Sequence, residues 1–123
     1  MTRTSIAKLY LKYLELGDIE RIVDLFSETG TVSSPLYGHQ PANAFYTSLQ
    51  NDTNSSKLEL KGIFDDHESN KLALHFNYHW VLKTEATVNF DVVDIISFNK
   101  ELKIEHLQII YDTVVSRHLI NNT

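Results

Sequence analysis

The chain contains no cysteine among its 123 residues. Disulfides, zinc–thiolate sites and cysteine nucleophiles are thereby excluded. Proline occurs only twice and glycine four times, and there is no repeat, low-complexity tract or interdomain linker, so the sequence reads as one domain spanning residues 1–123. Basic residues form no stripe or run, and the net charge is −5 with the six histidines neutral, a poor electrostatic starting point for binding nucleic acid. No apolar run approaches membrane-spanning length. The segment Met1 to Ile6 is polar and short, which predicts no signal peptide and a cytoplasmic location.

What is present is the composition of a folded domain, 42% hydrophobic and 22% charged, long enough to bury a core. The first third reads helical. Ile6, Leu9, Tyr10, Tyr13 and Leu14 recur at three- and four-residue spacing and form one apolar face. Gly17 ends this helix and Asp18 is a natural N-cap for a second, whose apolar face continues through Ile19, Ile22, Val23 and Phe26. Thr31 to Ser34 is a short strand ending at Pro35. Pro41 suits the first turn of a third helix carrying Phe45, Tyr46 and Leu49, and 51–56 reads as a polar loop.

The remainder reads as strands. One runs from Leu58 to Phe64. In the next, Leu72, Leu74, Phe76, Tyr78, Trp80 and Leu82 alternate with Ala73, His75, Asn77, His79 and Val81, so the two sets face opposite ways. Residues 87–98 are apolar on both faces, as in a central strand covered on both sides. A last strand spans 103–112. Helices first and strands afterwards predict an α+β domain, with three N-terminal helices packed in a strongly bent antiparallel sheet.

Four segments carry a resemblance. Tyr10 to Glu20 (YLKYLELGDIE) resembles the first helix junction of bacterial ketosteroid isomerases. So do Gly38 with Phe45-Tyr46 seven residues on, and Phe90 to Phe98 (FDVVDIISF). Ile104 to Asp112 (IEHLQIIYD) is similar to the last strand of many SnoaL-like proteins. Across about residues 4 to 112 the order and spacing resemble the nuclear transport factor 2-like superfamily, which implies a cone-like α+β barrel enclosing an apolar pocket. Isomerase chemistry in that family uses a carboxylate base and a pair of hydrogen-bond donors, a tyrosine and a protonated aspartic acid, that stabilise an enolate oxygen. Carried over by position, the resemblance makes Tyr10 and Asp94 the donors, Phe45 a pocket wall and Tyr46 a hydrogen-bond partner behind Tyr10. The base position falls on Ser34, and a serine does not accept that proton at neutral pH without an activating partner. The resemblance therefore implies an oxyanion hole without its base, and weak or absent steroid isomerisation.

Read without the resemblance, Tyr10 also fits a core tyrosine with its hydroxyl satisfied, and Asp94 a structural acid whose pKa burial would raise. Strand parity puts Phe76, Tyr78, Trp80, Val92, Leu107, Ile109 and Tyr111 on the inner face with Asp94, alongside Phe26. The expected ligand is a small, apolar, oxygenated molecule, handled by isomerase-, lyase- or cyclase-type chemistry; the alternative is a non-catalytic member binding a ligand or a protein. His75 and His79 lie too far apart along one strand to share an ion, and no metal or cofactor is expected. His39, in the Gly38–Pro41 loop, is the foremost candidate for a stand-in base over the pocket mouth, and Asp112 at the end of the last strand is placed to reach the rim. Val93 and Ile95 point away from the helices, which predicts a homodimer through the outer face of the sheet.

Overall fold

A computed structural model describes residues 1–114. Helix α1 spans Arg3–Leu16. Thr2 caps it, its side chain accepting from the Ser5 amide while the Ser5 side chain returns a bond to the Thr2 amide, and Gly17 ends it in the left-handed conformation at φ 70°, where a side chain would be strained. The buried positions are Ile6, Ala7, Tyr10, Leu11 and Leu14. The face is thus turned slightly from the expected one, leaving Leu9 and Tyr13 half-buried. Helix α2, Ile19–Asp24, starts at Asp18, whose carboxylate accepts the Arg21 amide.

Phe26 is not part of that second helix. It opens strand β1, Phe26–Ser34, because the backbone here finds partners in the sheet: Phe26 pairs with Ile104, and the Leu25 carbonyl accepts the Ile104 amide at 2.9 Å. Strand β2, Gly38–Pro41, where the sequence reading had a loop, folds back antiparallel on β1. Helix α3 is Ala42–Asp52, and β3, Thr53–Asp66, follows it directly. The expected polar loop at 51–56 is therefore absent. Its hydroxyls serve the interior instead: Thr53 Oγ1 accepts the Trp80 indole N–H at 2.8 Å, and Ser56 Oγ shares a bond of 2.9 Å with the Tyr78 hydroxyl. Strands β4, Lys71–Leu82, and β5, Thr87–Phe98, match the expected segments, and β6 is Ile104–Ile110, shorter at both ends.

The six strands form one open sheet in the order β2-β1-β6-β5-β4-β3. The four long strands pair antiparallel as expected, and β1 joins β6 in parallel. Irregularities between Leu60 and Gly62, and between Phe26 and Thr31, bend the sheet as bulges do. The helices pack into the concave side, α1 against β3 and β4, α3 against β1, β2 and β3. On β4 every second residue from Leu72 to Leu82 is buried. On β5 the buried set is Val88, Val92, Asp94, Ile96 and Phe98. The outer face keeps Val93 and Ile95 half-exposed. Beside them in register lie Phe64 and Ile110, 63% and 49% exposed.

One close approach fixes the β1 bend. A Cβ on buried Gly30 would lie 2.8 Å from Phe26 Cδ2, 2.9 Å from Phe26 Cβ and 3.0 Å from the Ile104 carbonyl oxygen. The Phe26 ring occupies the space that any other residue at position 30 would need. Gly30→Ala is therefore expected to destabilise the fold by about 1–3 kcal/mol, read as a lower urea midpoint at unchanged m-value; a loss below ~0.5 kcal/mol, the range of an ordinary surface change, would contradict this packing.

Candidate functional site

Three elements bring polar atoms together in an otherwise apolar interior. Helix α1 carries Tyr10, α3 carries Tyr46 and central strand β5 carries Asp94, each nearly inaccessible to solvent. The two tyrosine hydroxyls bond each other at 2.7 Å. Asp94 is held by its backbone between Leu74 of β4 and Ile109 of β6. Its carboxyl has no such company: among the described residues neither oxygen has a hydrogen-bond partner. An acid stripped of water and given no donor or cation disfavours its charged form. Burial accordingly pushes the Asp94 carboxyl well above the usual carboxylate range. Burial likewise raises both tyrosines well above the ordinary phenol value, Tyr10 with a further contribution from the Tyr46 hydroxyl and Asp94. Both phenols thus keep their protons.

Tyr10 and Asp94 do not bond each other. They line the same cavity, of about 40 Å³, which reaches Ser34 at the end of β1. With roughly 10–15 Å³ needed per water, the space holds about three waters. Phe76, Tyr78 and Trp80 from β4 and Val92 from β5 form one wall, and Phe45 and Leu49 from α3 the opposite one. An aromatic collar lies toward solvent. Phe90 stacks on Tyr111 with centroids 4.6 Å apart and on Tyr78 at 5.6 Å, and Tyr37 meets Phe45 edge-on at 5.7 Å. The Tyr37 hydroxyl donates to the Asp52 carboxylate, so burial and that bond both raise the Tyr37 pKa.

The structure places ten of the residues singled out from the sequence on this one cavity: Tyr10, Ser34, Phe45, Phe76, Tyr78, Trp80, Val92, Asp94, Ile109 and Tyr111. Phe26, Tyr46 and Leu107 are buried in the packed core instead. Tyr46 sits behind Tyr10, Phe26 packs on Tyr46 at 5.9 Å, and Leu107 is paired between Val32 and Ile96. The Ser34 hydroxyl accepts the Tyr37 amide at 2.9 Å, closing the turn after β1. His39 does not stand over the cavity. Its Nδ1 bonds Ser33 Oγ at 2.8 Å and its ring stacks on His106 at 5.6 Å, on the face of β1 opposite buried Val32. Among the described residues no three histidine or acidic side chains gather as a metal site would need. Sequence reasoning passed over Tyr37, Leu49 and Phe90 as lining residues. Phe90 shares the parity of Asp94 and was legible there; Tyr37 lies in a turn, where no periodicity reports direction.

No protein-family model matches the chain, and no curated protein matches it in sequence. Solved structures do match in shape. SalBIII, described as an epoxide hydrolase/cyclase-like enzyme with a role in pyran ring formation in the polyether salinomycin, aligns with a TM-score of 0.78 at 16% identity, covering 89% of this chain and 90% of that one. PrhC from Penicillium brasilianum NBRC 6234 aligns with a TM-score of 0.80 at 13% identity, covering 97% and 85%. An NTF2-like protein of unknown function from Cytophaga hutchinsonii ATCC 33406 aligns with a TM-score of 0.75 at 15% identity, covering 98% and 96%. At such identities the likeness is one of architecture: the chain has the nuclear transport factor 2-like fold, the α+β cone of SnoaL-like proteins.

Proposed function

We propose that the interior cavity binds a flat, apolar molecule through one oxygen atom, using Asp94 as a neutral acid and Tyr10 as a second hydrogen-bond donor. The observation that carries this reading is the buried carboxyl of Asp94, a residue that lines the cavity, with neither oxygen partnered among the described residues. A buried polar group left without a partner costs about 1–3 kcal/mol. A ligand oxygen accepting the acid's proton would offset that cost. Tyr46 supports the second donor. With its hydroxyl donating to Tyr10, the Tyr10 hydrogen is free for the ligand, and the chain of two hydroxyls strengthens the outer bond. Two donors converging on one oxygen favour a phenolate or enolate over a neutral ketone.

The chemistry open to such a site is protonation of an oxygen, or stabilisation of charge that develops on it, in isomerase-, lyase- or cyclase-type steps. SalBIII, similar in fold and epoxide hydrolase/cyclase-like, supports a reading in which an acid protonates a substrate oxygen. Standard ketosteroid isomerisation does not fit, because among the described residues Asp94 is the one carboxylate on the cavity and Ser34 is engaged with the Tyr37 amide. That same lack of a base favours a second reading, binding without turnover. A ligand larger than a few waters also requires side chains of the aromatic collar to rotate, a common adjustment on binding.

A panel of flat phenols titrated calorimetrically against the chain tests this. Affinity is expected to rise with phenol acidity, to fall about tenfold on Tyr10→Phe through loss of one donor, to fall less on Asp94→Asn, and to be largely lost on Asp94→Leu. Absence of binding across the panel, or binding indifferent to Tyr10→Phe and Asp94→Leu, would leave the two residues structural.

We further propose that the outer sheet face pairs two copies of the chain. Phe64, Ala73 and Ile95 lie in register across β3, β4 and β5, next to Val93 and Ile110, a contiguous apolar patch of the kind that seeks a partner. Sedimentation equilibrium at micromolar concentration should give twice the chain mass of 14.2 kDa, and Phe64→Lys should shift the population to monomer. A monomer alone in the unmodified chain would refute the pairing.

A further inference from the structure

The interior cavity has a neighbour. A groove of about 400 Å³ lies between the end of α1, the end of α3 and the start of β3. Leu14, Leu49 and Tyr78 line this groove, and the same three side chains line the interior cavity. They are the partition between the two spaces. The groove itself differs from the cavity in character. Its walls include Glu15, Gln50, Asn54 and Lys83. Glu15 and Asn54 are engaged, accepting the Leu58 amide and bonding Glu85. The Gln50 amide group and the Lys83 ammonium have no partner among the described residues, and nothing acidic in the groove pairs with Lys83.

A ligand that outgrows room for about three waters must leave the cavity through the collar or through the partition. The collar is the more firmly held. Tyr37 is bonded to Asp52, and Phe90 is stacked between Tyr78 and Tyr111. The partition consists of two leucines, which hold no hydrogen bonds, and of Tyr78, bonded outward to Ser56. Leu49 is half-buried and sits in the last turns of α3, so turning its side chain aside breaks no polar contact.

Resting on the reading of the Asp94–Tyr10 site above, we propose that the natural ligand is elongated: an oxygen-bearing apolar head in the cavity, an aliphatic neck between Leu14, Leu49 and Tyr78, and an anionic or hydroxylated tail in the groove beside Gln50 and Lys83. The ligand class is then an amphiphilic small molecule with polar groups at both ends, not a compact hydrocarbon-like one. The division of labour follows from the two linings. The head is selected by shape and by two hydrogen-bond donors in a dry site, the tail by a solvated cation that tolerates different acceptors.

The test compares 4-methylphenol with 6-(4-hydroxyphenyl)hexanoate, by calorimetry and by backbone amide shifts in the full chain. The long probe is expected to bind at least about tenfold more tightly, a gain that a few buried methylenes supply. It should perturb the amides of Gly17, Gln50 and Asn54. Gln50→Trp, which fills the groove without touching the cavity, should abolish the gain and leave 4-methylphenol binding within about twofold; Lys83→Met should reduce the gain in a salt-sensitive way. If 4-methylphenol binds but the long tail adds nothing, or if the tail perturbs Tyr37 and Tyr111 instead of the groove amides, the route through the partition is wrong while the Asp94–Tyr10 reading stands. If neither compound binds, both fall together.

Discussion

A carboxyl group buried among apolar side chains with no hydrogen-bond partner among the described residues is an uncomfortable neighbour for its own fold, and Asp94 is in that position. Its place on β5 is dictated by strand alternation: it points the way Val92 and Ile96 point, and they must be inside. The fold can keep it there only by keeping it neutral. The linkage follows in sign. In the unfolded chain the group ionises near pH 3.9; in the folded chain its pKa is raised. Whatever the neutral acid contributes to stability is fully present below the unfolded value and is lost as the pH climbs toward the folded one. A group that taxes its fold in this way is retained where its proton has a use, and buried acids with raised pKa values concentrate at functional sites for that reason.

The other parts of the site follow from that one residue. A neutral acid needs a dry surround, and α1, α3, β4 and β5 provide it. In the proposed site a single donor would bind an oxygen loosely, and the Tyr10 hydroxyl, bonded to Tyr46 at 2.7 Å, is the second donor we propose. The cavity's small volume and apolar walls make a low-dielectric surround, in which a hydrogen bond to oxygen is worth most. Function on this fold resides in such placements, since one architecture serves many unrelated reactions. Among the described residues no second carboxylate lines the cavity, which is why the proposed reading favours acid-side chemistry or plain binding over carbon-acid proton abstraction.

Much of this was legible in the sequence, for an identifiable reason. Strand β4 alternates with period two over a dozen residues, so its inward set could be assigned without knowing what it packs against; β5 reads as apolar on both faces, and there Asp94 could be assigned by its shared parity with Phe90, Val92, Ile96 and Phe98. The helix boundaries at Gly17 and Asp18 were legible because caps are chemical signals, whereas the Thr2 cap was not read from the sequence. What escaped was decided by long-range pairing or by turns. Phe26 looks helical until Ile104 offers its backbone a sheet partner. Residues 51–56 look like loop because they are polar, yet Thr53 and Ser56 spend their hydroxyls on Trp80 and Tyr78 across a strand pair. Strand β2 is too short to show a period. Tyr37 turns inward from a bend, where sequence gives no direction, and His39 turns outward from a strand nobody would have drawn there. The division between lining and packed core at Phe26, Tyr46 and Leu107 depends on where free volume falls, which only coordinates report.

The ionisation state of Asp94 bears on every part of this account, and it can be read directly. With aspartate labelled at the carboxyl carbon, the Asp94 resonance, assigned by its loss in Asp94→Asn, can be followed from pH 4 to pH 9. The account expects the shift of a neutral acid through pH 7, and movement of that resonance when a phenol occupies the cavity. A carboxylate that titrates near its ordinary value of about 3.9 and ignores the phenol would contradict it.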